Sequence, residues 1–316
     1  MTTHSTHEDD ESAYQALAES LDGADDRWAF GTGFTESGEE ITAPVPDGVD
    51  TGDLAAYCLM LGDDALVAAQ RLAEWSTHAP ELEEEVALAN CALDLLGQAR
   101  LLLSRAGHLG AAAPHRPGNA SPDLADEDVL TYFRDERAFR HVNLAEADVS
   151  PGGADFGRLM AWLLLFSSWR LALLTHLVGS ADPLVAAVAE KGAKELAYHR
   201  DHAARWMVRL GDGTAYSHER AQDGLEQVWP FVEELFVAHE VETRLPGVAV
   251  DPASVREEVD GVLAQVVAAG GLTRPERPAV GRIAGRAGRD GLHTEALGPL
   301  VAQMQSLARA HPDATW

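Results

Sequence analysis

LMAWLLLFSSWRLALLTHLV, residues 159–178, is the stretch that decides the architecture. It is long and apolar enough to cross a bilayer. Arg170 and His176 lie inside it, however, and the sequence shows no second run of the same kind. A guanidinium held at mid-bilayer is costly, whereas a buried helix can give it partners. The run therefore predicts the fully buried third helix of a bundle, over Asp155 to Gly179.

Working outward, helical periodicity continues on both sides. Asp53 to Trp75 carries Leu54, Tyr57, Leu61, Leu66 and Leu72 on related faces. After a turn at His78-Ala79-Pro80, Pro80 is expected to open a second helix to Gly107. Leu82, Val86, Ala89, Leu93, Leu96 and Leu103 mark its apolar face. A fourth helix is expected over Pro183 to Leu210, and further ones at 217–243, 252–268 and 293–310, the last opening at His293, Thr294 and Glu295 with Thr294 as its N-cap. Alternating β-branched runs and hairpin signatures are missing. The long connection between the second and third helices passes through AAAPHRPGNASPD and TYFRDERAFR. Four long helices with one long crossover describe an all-α, ferritin-like four-helix bundle with additional C-terminal helices.

Composition narrows the function classes. The 316 residues hold 24 Lys and Arg against 51 Asp and Glu, a formal charge of −27. Such a surface repels nucleic acid and anionic membranes alike. Only Lys191 and Lys194 are lysines, and an acidic, lysine-poor chain suggests adaptation to high salt, where self-repulsion is screened. Residues 1–50 hold 13 acidic residues and one basic, Arg27, and read as a solvated, disordered extension ahead of a helical domain at 51–316. The N-terminus lacks a basic and apolar leader, and Cys58 and Cys91 sit in apolar helical patterns. Both features point to the cytoplasm.

A ferritin-like bundle invites a test for a di-iron site, which takes a glutamate from each of two helices and Glu-x-x-His from each of the others. The second helix offers Asp94-Leu95-Leu96-Gly97-Gln98, and the third has no carboxylate between Asp155 and Asp182. The fourth carries Glu195 and His199 one residue too far apart. A looser reading remains, a metal-binding oxygenase using the i, i+4 pairs Glu74/His78 and Glu195/His199. Against it, His78 also suits a helix C-terminus, and Glu195 or His199 suits an ordinary surface pair. The arginines near 274–289 form one basic island, and Arg282, Arg286 and Arg289 are candidates for a phosphate or coenzyme A contact.

LGDDALVAAQRLAEWSTHAPELEEEVALANCALDLLGQARLL (61–102) resembles the C-type members of the phenylacetyl-CoA 1,2-epoxidase family. So do FRDERAFRHVNL (133–144), KELAYHRDHAARWMVRLGDGT (194–214) and GLHTEALGPLVAQMQSLARAHPDATW (291–316). The resemblance covers 51–316 and implies a non-catalytic structural subunit that pairs with a paralogous, di-iron catalytic A-type subunit and the other subunits of the complex. In that complex NADPH, FAD and an iron–sulfur centre belong to a separate reductase, and this chain binds no cofactor. By the same resemblance Ala65, Leu95, Gln98 and Leu196 stand where the paralogue has ligands, and His199 is retained. Trp75, Arg134, Asp135, Glu136 and Arg137 are expected to fix the fold or the partner interface.

Overall fold

The computed structural model describes residues 38–281 and 286–314. The acidic tail therefore lies largely outside the described residues, and so does Arg282. Four long helices make the bundle: α1 (Thr51–Ala73), α2 (Leu82–His108), α3 (Phe156–Leu177) and α4 (Pro183–Gly211). Helix α1 packs along α2, α3 along α4, and α2 also meets α4. Three further helices, α5 (Ala215–Val228), α6 (Arg256–Ala269) and α7 (Leu297–Ala310), complete an all-α, ferritin-like fold with no strand among the described residues. Helices α5 and α6 both pack on α3.

Short polar residues set the helix starts. Asp50, Asp155 and Asp182 accept the exposed N–H groups of Asp53, Arg158 and Val185 at the heads of α1, α3 and α4. Thr214 does the same for α5. Asp182 has a second task, pairing at 2.7 Å with the fully buried Arg105 of α2. Gly224 lets α5 press on the first turn of α3. A Cβ there would lie 2.7 Å from the Arg158 Cα, a clash that only glycine avoids.

Helix α3 is the core helix expected from its composition, with 89% of its apolar window buried inside the fold. Contrary to the sequence reading, it is not alone in being long and apolar. Helix α2 passes the same length and composition test with only 39% of its window buried. The reason is that α2 has two apolar faces. Leu88, Cys91, Leu95, Ala99 and Leu102 enter the core, whereas Leu82, Val86, Leu93 and Leu96 of the expected face are exposed.

Three boundaries also differ from expectation. Pro80 does not begin α2, which opens at Leu82 after an extended Glu81. The helix expected over 217–243 ends at Val228, because Pro230 cannot donate to the helical ladder. Two short 3-10 turns and the helix Glu240–Arg244 follow. The last helix starts at Leu297, so Thr294 is not its N-cap. The Thr294 hydroxyl accepts the Ala296 N–H at 3.3 Å one step earlier.

Candidate functional site

At the centre of the bundle, where a carboxylate-bridged metal pair would lie in a ferritin-like protein, α3 supplies Arg170, which is fully buried. Its Nε donates to Gln98 Oε1 of α2 at 3.1 Å, and its Nη2 donates to the Leu61 carbonyl of α1 at 3.2 Å. Gln98 Nε2 in turn donates to Glu195 Oε2 of α4 at 2.9 Å. Asp64 of α1 lies 3.9 Å from the other end of the guanidinium. Burial pulls Arg170 down to about 10, with Asp64 opposing, so it remains a cation at neutral pH. Burial likewise raises Glu195, against the hydrogen bond from Gln98.

Gly192 of α4 makes room for this chain of groups, since a Cβ there would sit 3.1 Å from the Gln98 amide carbon. Ala65, Leu95 and Leu196 are each wholly buried and pack as core. Buried His199 is 3.0 Å from Asp94 Oδ2, not on a surface pair with Glu195. The donor set does not suit a di-iron centre. Two leucines and an alanine offer no ligand atom, and a fixed guanidinium repels cations from the space it lines.

The looser metal reading meets a similar geometry. Glu74 pairs with Arg71 at 3.0 Å, while exposed His78 has its Nδ1 3.0 Å from the Ser76 carbonyl. Glu195 and His199 have the separate partners just described. Among the described residues, the group of three potential ligands drawn together is His141, Glu146 and His293, and it contains none of those four.

That trio is a buried joint between the crossover and the C-terminal segment. Glu146 Oε2 takes His141 Nε2 at 2.7 Å and lies 2.9 Å from His293 Nδ1, while its other oxygen accepts the Thr294 N–H. The two imidazoles stack at 4.4 Å. Burial raises Glu146, but the two histidines outweigh it and bring its carboxyl down to about 2, from an ordinary value of 4.5. A carboxyl depressed in the folded state stabilises the fold above its unfolded pKa and loses that contribution as pH falls through its folded one. Wild type is therefore expected to exceed Glu146→Gln by about 3 kcal/mol above pH ~5, the gap closing as pH falls toward ~2. Urea unfolding of both proteins across that range checks the sign.

Adjacent Asp63 and Asp64 of α1, both fully buried, anchor the rest of the crossover. Asp63 takes Arg134 Nη1 at 2.9 Å and the Arg140 N–H at 2.8 Å. Asp64 takes the Arg289 fork at 2.8 and 3.0 Å and the Val142 N–H at 2.9 Å. Arg289 also reaches the Met60 and Arg140 carbonyls. It is thus a core residue with its donors engaged, which corrects its reading as a phosphate or coenzyme A contact. Arg286 remains exposed, near Asp290. Elsewhere in the basic island Arg274 and Arg277 pair with Asp260 and Glu226.

Of the residues expected to fix the fold or an interface, Trp75 and Arg134 are buried. Trp75 donates its indole N–H to the Val149 carbonyl at 2.7 Å. Asp135, Glu136 and Arg137 are exposed. Sequence reasoning missed the Asp63–Asp64 pair and the His141–Glu146–His293 joint. The available signal was a tandem of aspartates inside an otherwise apolar helix.

Comparison with known proteins adds two findings. A family model described as phenylacetic acid catabolic protein matches residues 44–316. The chain is also 40% identical over 265 residues to the C-type subunit of the 1,2-phenylacetyl-CoA epoxidase of Escherichia coli (strain K12), covering 83% of this chain and 99% of that protein.

Proposed function

The chain belongs to the phenylacetic acid catabolic protein family, and from that membership we propose that it is the structural, non-catalytic C-type subunit of a phenylacetyl-CoA ring 1,2-epoxidase. It pairs with a ferritin-like, di-iron A-type subunit and stabilises it, as a heterodimer or within a larger assembly that includes the other epoxidase subunits. Oxygen chemistry on the aromatic ring belongs to that partner. NADPH, FAD and an iron–sulfur centre belong to the reductase component.

The observation that carries this reading is Arg170. A guanidinium linked to Gln98 and, through it, to Glu195 fills the bundle centre with a fixed cation and its hydrogen bonds. A bundle centre closed in this way is a rigid helical body suited to holding another bundle in register. The acidic, lysine-poor composition supports a salt-adapted cell, and the buried free thiols of Cys58 and Cys91 support a cytoplasmic setting.

Iron per chain tests the reading. The protein purified alone from iron-replete cells, in high salt, is expected to carry close to none. Co-expressed with an A-type subunit, it is expected to co-purify in a complex whose iron tracks the A-type partner alone. A value near two irons per isolated chain, the load of a ferritin-like di-iron site, overturns the proposal.

A further inference from the structure

Helix α2 is apolar on the side away from the bundle as well as on the side within it. Leu82 is 71% exposed, Val86 53%, Leu93 50% and Leu96 46%. With the partly buried Ala89 these residues recur at alternating spacings of four and three. At 100° per residue they fall in a strip roughly 80° wide, opposite Leu88, Cys91, Leu95 and Leu102. A helix with apolar stripes on two opposite sides has one of them left to cover once the other is in the core.

We propose that this strip is the seat of a helix from the paralogous ferritin-like subunit, an inference that rests on the functional reading above. Four-and-three spacing is the pattern by which one helix packs along another at a shallow angle. The strip runs about 21 Å from Leu82 to Leu96, the length of a four-turn helix-on-helix seam. Charge sets what the partner presents at each end. Glu81, Glu83 and Glu85 crowd its N-terminal end, and Arg100 stands at the other. The matching partner helix is basic beside the glutamates and acidic beside Arg100. An anionic bilayer or the acidic residues 1–37 would meet those glutamates with like charge.

The test is Leu93→Glu and Leu96→Glu in the full chain, co-expressed with the A-type subunit, with Tyr216→Glu on α5 as the control. Tyr216 is 72% exposed and lies away from the strip. Association is read by sedimentation and by titration of the purified proteins. Each strip variant is expected to weaken the complex on the order of 100-fold, since a charge at the centre of a helix seam is left desolvated. The control is expected to change nothing, and thermal unfolding of each isolated variant to match wild type. Undiminished association of Leu93→Glu overturns the strip while leaving the functional reading intact. Failure of wild type to bind the A-type subunit overturns both. A wild-type homodimer that Leu93→Glu converts to monomer, with binding to the A-type subunit unchanged, overturns the assigned occupant.

Discussion

Asp64→Asn is expected to lower the stability of the isolated chain by about 3–5 kcal/mol, because a buried cation is left without its anion. The substitution keeps the shape of the side chain and removes only its charge. Two guanidiniums depend on that charge. Arg289 forks onto it at 2.8 and 3.0 Å, and Arg170 approaches it at 3.9 Å. Arg289 is held above its ordinary value, since Asp64 and the nearby Glu242 and Glu234 outweigh the burial that opposes them. At roughly 2–4 °C per kcal/mol for a domain of this size, a fall in Tm of about 10 °C follows. The doubly substituted Asp64→Asn, Arg289→Met chain is expected to recover part of the loss, because one stranded cation has gone with its partner. Chemical denaturation at low and high salt should give the same difference. The pair is buried and unscreened, unlike the surface pairs of this acidic protein. A loss below about 1 kcal/mol would mean that the pair behaves like an exposed one.

The bundle itself was legible because its four helices carry both periodicity and start signals. Asp50, Asp155 and Asp182 stand where a cap is needed, and beyond Arg158 in its first turn α3 holds only Arg170 and His176, the pair that flagged it as buried. What periodicity failed to give was direction. A helix with apolar residues on two faces does not say which face meets the core, so spacing alone turns the α2 strip inward. Residue type alone also says that Leu95, Leu196 and the carboxylate-free third helix offer no ligand atom. What fills their place was not legible. Arg170 finds Gln98 across 72 positions and Leu61 across 109, and His293 meets the Phe139 carbonyl across 154. Partnerships at such distances leave no local pattern. They show beforehand only as charged residues in apolar company, a signal that was read at Arg170 and missed at the Asp63–Asp64 tandem.

Arg134→Glu is expected to abolish folding, and Arg137→Glu to leave both folding and association with the partner close to wild type. The two arginines are three residues apart in one motif but differ in what surrounds them. Arg137 is exposed, and a surface charge of this kind contributes about 0–1 kcal/mol. Arg134 is wholly buried, with its fork on Asp63, further hydrogen bonds to the Leu130 and Ala138 carbonyls, and its guanidinium 4.3 Å above the Phe139 ring. A glutamate there would set two carboxylates against each other inside the protein, on top of the donors lost. The cost exceeds the roughly 3–5 kcal/mol of merely removing one partner, and such a loss takes most of the roughly 5–15 kcal/mol available to a domain. Arg134→Met isolates the smaller figure, and Arg134→Lys restores charge without the planar fork, so it should fall between methionine and wild type. Far-ultraviolet circular dichroism and urea unfolding of the isolated chains separate these cases before any binding is measured. That order matters, because loss of the complex in Arg134→Glu would report a collapsed crossover rather than a severed contact. A folded, cooperative Arg134→Glu chain that has lost only its partner would instead place Arg134 at the interface with that partner.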